Sequence, residues 1–292
     1  PALARAIAAR GYAEPTPVQA AILGAAPGKT DLLVSAQTGS GKTVAFGLAM
    51  APTLLGEGER FEAAQLPLAL IIAPTRELAL QVQRELTWLY EHTGAVIVAC
   101  VGGMDPREER RSLNRGCHIV VGTPGRLRDH LERGSLRLGQ LKAVVLDEAD
   151  EMLRMGFIDD VEDILKQTPV EKQVALFSAT LPDRIRRIAQ QYLSDPVEVK
   201  IKAKTATVAS IDQRYVEIRH FDKLDALTRI LEAEEFDAML VFVRTRTATT
   251  EVAEKLEARG FASAALSGEM TQALRERTIE RLKSGKLDIV VA

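Results

Sequence analysis

The chain has 292 residues, enough for one large or two ordinary domains at roughly 100–200 residues each. Apolar residues make up 46% and charged residues 27%, a balance that excludes a disordered or collagen-like chain. The longest apolar run, roughly nine residues at 66–74, falls far short of the about 20 that a membrane-spanning helix requires. The net charge is −2, from 38 basic and 40 acidic residues, so no global basic footprint announces a nucleic-acid partner, and any such reading rests on local motifs. Cys100 and Cys117 each adjoin an apolar strand-like run and lack metal-ligand spacing; a reduced, cytoplasmic setting is the simplest reading.

In chain order, apolar β-rich runs at 32–35, 68–73, 95–101, 118–121, 143–146, 173–178 and 197–201 alternate with helical patterns such as 77–90 and 184–192. Runs without apolar and polar alternation predict strands buried on both faces, as in a parallel sheet covered by helices. The repetition predicts a doubly wound α/β domain. Residues 202–210 are small and polar and read as a linker. The alternation then restarts, with strands predicted at 213–218, 238–243, 262–266 and 287–291 and helices at 223–234, 248–259 and 272–283. This predicts a first domain at 1–202, a linker at 203–211 and a second, incomplete domain at 212–292. The chain opens on Pro1 and stops inside or just after a buried-type strand, which leads us to expect a fragment.

After the first strand comes Ala36-Gln37-Thr38-Gly39-Ser40-Gly41-Lys42-Thr43, followed by a helical run. Small residues let consecutive backbone N–H groups curl around a phosphate, and a helix N-terminus adds a favourable dipole. Lys42 has the reach for β- and γ-phosphates, and the Thr43 hydroxyl is a Mg²⁺ ligand. The general pattern has glycine at the position that Ala36 fills.

The strand at 143–146 runs into Asp147-Glu148-Ala149-Asp150. A carboxylate at the carboxyl end of a parallel strand lies where open α/β sheets bind ligands. Asp147 is therefore a candidate to hold Mg²⁺ opposite Thr43, and Glu148 to orient or deprotonate an attacking water. An acidic helix start, favoured by the dipole, is the competing reading; the neighbouring phosphate loop weighs against it.

Taken together, these strings resemble the DEAD-box family of ATP-dependent RNA helicases along the whole chain. Gly11-Tyr12-Ala13-Glu14-Pro15-Thr16-Pro17-Val18-Gln19 resembles the Q motif, in which the glutamine amide reads the adenine edge, so Tyr12, Thr16 and Gln19 are implied ATP contacts. Ala36 to Thr43 resembles motif I, where alanine at position 36 is usual. Pro74-Thr75-Arg76-Glu77-Leu78-Ala79 resembles motif Ia, Gly102-Gly103 the glycine doublet, and Thr123-Pro124-Gly125-Arg126 motif Ib; their implied role is RNA binding. Ser178-Ala179-Thr180 is similar to motif III, which with Asp150 couples nucleotide state to the rest of the protein. Val241-Phe242-Val243-Arg244-Thr245 resembles motif IV more loosely, and Gln272 and Arg275 the Q-x-x-R element, both implied RNA contacts.

The resemblance implies two RecA-like domains, ATP and Mg²⁺ as cofactors, and RNA held sequence-independently by its backbone and unwound locally as the interdomain cleft closes. Motif V would begin at Val291-Ala292, and motif VI, with its arginine finger worth about 10³–10⁵ in rate, has no counterpart. A fragment lacking both is expected to hydrolyse ATP poorly. Three other readings stay open: a DNA-directed helicase, an RNA clamp with little catalysis, and a metabolic phosphate-loop kinase. The last leaves Pro74 to Ala79 and Thr123 to Arg126 without a task.

Overall fold

The computed structural model describes residues 2–25, 30–37, 39–201, 211–219 and 222–292. Two compact units emerge, Pro1–Ala206 and Thr207–Ala292. Thr38 and the linker residues 202–210 lie outside the described residues.

The first unit is built on a seven-stranded, all-parallel sheet. Its strands are β1 (Leu32–Ser35), β2 (Ala69–Ile72), β3 (Ile97–Cys100), β4 (Ile119–Gly122), β5 (Ala143–Leu146), β6 (Gln173–Ser178) and β7 (Val197–Lys200). Their order across the sheet is β3-β4-β2-β5-β6-β1-β7, so β6 stands between β5 and β1. The pleat sends alternate residues to opposite faces, and both faces are apolar. Ala69 and Ile71 join one core with α1 (Ala2–Ala9), α2 (Pro17–Ala25), α3 (Lys42–Leu55) and α4 (Arg76–Leu89). Leu70 and Ile72 join the other with α5 (Pro106–Arg115), α6 (Pro124–Glu132), α7 (Ala149–Arg154), α8 (Ile158–Lys166) and α9 (Asp183–Tyr192). This is the doubly wound arrangement that the unbroken apolar runs predict. Each fully buried Leu or Ile adds roughly 1.5–3 kcal/mol of hydrophobic stabilisation.

The second unit contains α10 (Lys223–Ala233), β8 (Met239–Val241), α11 (Arg246–Glu257), β9 (Ser263–Ala265), α12 (Gln272–Lys283) and β10 (Ile289–Val291). Its three strands are parallel in the order β8-β10-β9, with β10 fully buried in the middle.

Several predicted strands are shorter than expected, those of the second unit among them, and one is absent. The run predicted at 95–101 is a strand only over Ile97–Cys100, because the Val96 amide donates to His118 Nδ1 at 2.9 Å instead of to a ladder partner. Residues 211–219, with a strand predicted at 213–218, carry no regular structure. Strand propensity is realised only against a partner and a core. Here Tyr215 and Val216 are 88% and 61% exposed, and Arg214 is engaged by Asp212 and Glu234, each at 2.8 Å. Among the described residues no helix is long and apolar enough to cross a membrane.

Candidate nucleotide and nucleic-acid site

In a parallel sheet all strands end on the same rim, where ligands of open α/β folds bind. Apart from Gly11 to Gln19, which lie ahead of β1 and run into α2, every motif of the first unit follows a strand onto that rim: the phosphate loop after β1, Pro74-Thr75 after β2, Gly102-Gly103 after β3, Thr123 after β4, Asp147 after β5 and Ala179 after β6.

Between β1 and α3 the loop turns through two left-handed glycines, Gly39 (φ 77°) and Gly41 (φ 87°). Gly41 has a second reason to lack a side chain: a Cβ there would lie 2.7 Å from Gln19 Nε2 and 3.0 Å from Thr16 Oγ1. The Gln19 amide donates to the Gly41 carbonyl at 3.2 Å, while its Oε1 accepts from the Thr16 backbone at 2.9 Å. Thr16 and Gln19 are thus tied directly to the phosphate loop. Tyr12 is placed differently. It is 56% exposed, and its ring lies 5.8 Å from that of Trp88, which Arg10 covers from 5.0 Å. Ala36 is buried, and its amide donates to the Ser178 carbonyl at 3.3 Å, closing the loop onto β6. Gln37 is exposed, and its carbonyl accepts from Ser40 Oγ at 2.8 Å.

Lys42 and Thr43 open α3 and are both buried. Lys42 Nζ lies 3.6 Å from Asp147 Oδ1 and 3.8 Å from Glu148 Oε1. These distances are too long for hydrogen bonds. Nζ and Asp147 Oδ1 are buried without a hydrogen-bond partner, a costly state unless a ligand arrives. Burial raises the Asp147 carboxyl to about 6 in spite of Lys42, with Glu148 adding to the rise. Glu148 has a left-handed backbone (φ 52°, ψ 53°), rare for a residue with a side chain and common at functional sites.

Asp150 latches this rim to the end of β6. Its Oδ2 accepts from the Thr180 amide at 3.0 Å and the Thr180 hydroxyl at 2.8 Å, and its own amide donates to Ser178 Oγ at 3.1 Å. Ser178 Oγ in turn donates to the Thr180 carbonyl at 2.6 Å. Burial works to raise the Asp150 carboxyl, but the Thr180 and Ser178 hydrogen bonds outweigh it and hold the group below the usual carboxylate range.

The basic residues converge on the glycine doublet. Pro74 is buried, and Thr75 caps α4 by accepting from the Leu78 amide at 3.2 Å. Arg76 Nη1 donates to the Gly102 carbonyl at 2.9 Å, and a Cβ on Gly103 (φ 81°) would lie 2.0 Å from that nitrogen. Arg126 Nη2 donates to the Met104 carbonyl at 3.1 Å. Thr123 holds the N-cap position of α6 without a side-chain hydrogen bond to the helix, with Pro124 buried and Gly125 exposed in its first turn. In the second unit Arg244 is exposed, Thr245 caps α11 through the Ala248 amide at 3.2 Å, Gln272 Nε2 donates to Glu276 at 2.8 Å, and Arg275 is half-buried in α12. Gln272 and Arg275 therefore share a helix apart from the α11 cap. Sequence reasoning missed Glu109, an acid 5% exposed behind the doublet. Its spacing of four from Leu113 on an amphipathic helix was the available signal.

The model of the DEAD/DEAH box helicase family matches residues 16–188, and that of the helicase conserved C-terminal domain matches residues 222–292. The ATP-dependent RNA helicase DeaD of Escherichia coli K12 is 51% identical over 283 residues, 97% of this chain and 44% of that protein. DeaD of Mycobacterium tuberculosis H37Rv is 50% identical over 293 residues, 100% of this chain and 51% of that protein. The chain thus spans about half the length of the curated relatives it matches. Among solved structures, S. cerevisiae Dbp5 bound to RNA and ADP BeF3 superimposes with a TM-score of 0.85 at 27% identity, covering 100% of this chain and 73% of that one. A DEAD box protein from Methanococcus jannaschii gives 0.62 at 37% identity, covering 100% and 77%. A seven-stranded and a three-stranded parallel unit, one behind each matched family model, make this chain a member of the DEAD/DEAH box helicase family.

Proposed function

We propose that the chain binds ATP with Mg²⁺ on the rim of its first unit, binds RNA through the backbone, and belongs to a protein that couples ATP hydrolysis to local unwinding of short duplexes. Residues 1–202 form the ATP-binding domain, 203–211 the linker and 212–292 the second helicase domain. The single observation that carries this reading is the pair Lys42 Nζ and Asp147 Oδ1, both buried without a hydrogen-bond partner beside a glycine loop, with the half-buried Glu148 3.8 Å from the same Nζ.

Lys42 contacts the β- and γ-phosphates, the loop amides from Gly39 to Thr43 surround the phosphate oxygens, and Thr38 belongs to the same loop. The Thr43 hydroxyl and Asp147 carboxylate are hard oxygen donors suited to Mg²⁺, and the orphaned Asp147 Oδ1 supports that fit. When bound, Mg²⁺ neutralises charge on the phosphate oxygens. Glu148 orients the attacking water and accepts its proton. Asp150, Ser178 and Thr180 carry the change in nucleotide state along the latch. Gln19 reads the adenine edge, with Thr16, Tyr12, Ala36 and Gln37 completing that side.

RNA phosphates meet Arg76, Arg126 and the N–H groups of Gly102, Gly103 and Gly125, with Pro74, Thr75, Thr123 and Pro124 shaping the turns. Arg244, Thr245, Gln272 and Arg275 offer similar chemistry from the second unit. The test compares binding of a fluorescent single-stranded RNA and of a DNA of the same sequence, with and without a non-hydrolysable ATP analogue and Mg²⁺. Nucleotide-dependent preference for RNA is expected. Equal binding of both, indifferent to nucleotide, would overturn the reading.

A further inference from the structure

Glu109 projects from α5 into the protein behind the glycine doublet and is 5% exposed. A buried carboxylate is tolerated only when its oxygens are occupied. Its Oε1 accepts from the Val101 amide at 3.0 Å, and its Oε2 accepts from Arg126 Nη1 at 3.1 Å. The same Oε2 lies 2.6 Å from Nε2 of His130, a fully buried side chain of α6 whose Nδ1 is 2.9 Å from Ser135 Oγ. The polar network therefore runs from Ser135 through His130 and Glu109 to Arg126, and Arg126 Nη2 ends on the Met104 carbonyl. Its Val101 and Met104 links flank the turn that carries Gly102 and Gly103.

Cys100, Glu109 and His130 bring donor atoms within 4.8 Å of one another, which invites a metal. The chemistry favours another use. Both Glu109 oxygens already have N–H partners, and the His130 nitrogen that would ligate is turned onto one of them. Burial also pushes the Cys100 thiol far up, away from the thiolate a metal needs.

An arginine with several rotatable bonds loses much freedom when fixed on a phosphate, and a side chain already locked avoids that cost at binding. Arg126 is only 12% exposed and has two of its nitrogens committed to Glu109 and Met104, which leaves its remaining N–H groups fixed in direction. The Val101 amide, one residue before the doublet, hangs on the other oxygen of the same carboxylate. One group thus sets both the arginine and the glycine turn.

We propose that Glu109, itself set by His130, is a positioning residue for RNA: it holds Arg126 and the Gly102-Gly103 turn in one phosphate-binding geometry. This deepens the proposed RNA role of that rim and rests on it. Glu109 touches no RNA, and its effect passes through Arg126 and the turn.

The test is a double-mutant cycle on the 292-residue chain, read as affinity for a fluorescent single-stranded RNA in the presence of a non-hydrolysable ATP analogue. Glu109→Ala is expected to weaken RNA about tenfold while affinity for the ATP analogue stays unchanged, a split that general destabilisation would not give. Glu109→Gln, which keeps the shape and one acceptor oxygen, is expected to lose about threefold. Arg126→Ala should weaken RNA and lower the salt dependence by about 0.7 per lost phosphate contact. The double variant should lose clearly less than the product of the two single losses, since only the contribution through the turn is left for Glu109 once Arg126 is gone. Unchanged RNA affinity in Glu109→Ala, or losses that multiply in the double variant, would overturn the positioning role. If Glu109→Ala does not fold, the cycle runs with Glu109→Gln under the same criteria. A wild-type chain that binds no RNA, or an Arg126→Ala variant that binds it normally, brings down the RNA reading of the rim itself, which is a different result from Glu109 being idle.

Discussion

Asp150 and Thr180, thirty residues apart in sequence, meet through two hydrogen bonds onto one carboxylate oxygen, 3.0 Å from the amide and 2.8 Å from the hydroxyl. Because β6 stands between β5 and β1, this contact joins the acidic string at the end of β5 to the strand beside the phosphate loop. In the proposed reading, this contact would give a change at the nucleotide a short hydrogen-bonded route to Ala179 and Thr180, both exposed.

Thr180→Val removes the hydroxyl donor and keeps the shape. A hydrogen bond to a charged group contributes about 1.5–3 kcal/mol, so chemical denaturation at pH 7 should register a loss of that order. The Asp150 carboxyl is held below its unfolded value, so its contribution is present above the ordinary carboxylate range and fades as pH falls through the folded value. The difference between Thr180→Val and wild type should therefore shrink in strong acid. A difference independent of pH would show that the hydroxyl acts through something other than the ionised Asp150.

Asp147 carries the opposite sign. Burial lifts its carboxyl from 3.8 to about 6, so the folded chain keeps a proton that the unfolded chain has already released. Between those values the native state binds more protons, and stability falls as pH rises. By pH 7 the ionised group costs on the order of 3 kcal/mol in the nucleotide-free protein, at 1.36 kcal/mol per pKa step. Asp147→Asn should therefore raise the melting temperature at pH 7, with a gain that vanishes toward pH 4, while binding of Mg²⁺ with ATP is lost. Thermal unfolding at the two pH values decides it, and a variant less stable than wild type at pH 7 would refute the linkage.

How much of this was legible depends on the range of the interaction. Gly39, Gly41, Lys42 and Thr43 were readable because a phosphate loop imposes its demands on consecutive backbone positions. Asp147 was readable because an apolar strand ended on it. The second demand on Gly41, the approach of Gln19, comes from a segment 22 residues away and leaves no local trace. Glu109 betrays its burial only by its spacing of four from Leu113, and its role not at all, since its partners Arg126 and His130 lie on α6. The residues at 213–218 have a strand-like pattern but meet no core, and pattern alone carries no information about a missing neighbour.

Gln19 supports the phosphate loop and, in the proposed reading, meets adenine as well, and a single substitution can separate the two. Its Nε2 donates to Gly41 and its Oε1 accepts from Thr16, so the amide is oriented before any nucleotide binds. If that orientation serves adenine recognition, Gln19→Ala should weaken ATP about tenfold and erase the preference for ATP over GTP, since hydrogen-bonding sites reject mismatches by leaving polar groups unpaired. Competition between the two nucleotides measures this. Loss of affinity with the preference intact would confine Gln19 to supporting the loop.

Lys42 and Glu148 face each other at 3.8 Å, yet their substitutions should separate binding from chemistry. Lysine meets phosphate oxygens in the ground state as well as in the transition state. Lys42→Ala therefore removes binding energy and takes from the buried Asp147 and the half-buried Glu148 the cation that lies 3.6 and 3.8 Å from them. Nucleotide affinity should fall by at least tenfold, and folding stability should drop as well. Glutamate acts on water mainly as the bond forms, so its contribution is confined to the transition state. Glu148→Gln keeps the shape of the side chain and removes the base. It should bind ATP within about threefold of wild type and lower any measurable hydrolysis by about 10²–10⁴, the usual range for general acid–base catalysis. Equilibrium binding of a fluorescent ATP analogue, run beside phosphate release in the presence of RNA, gives both quantities from the same preparations. If Glu148→Gln loses affinity as severely as Lys42→Ala, the glutamate is holding Lys42 in place and the base must be sought elsewhere on the rim.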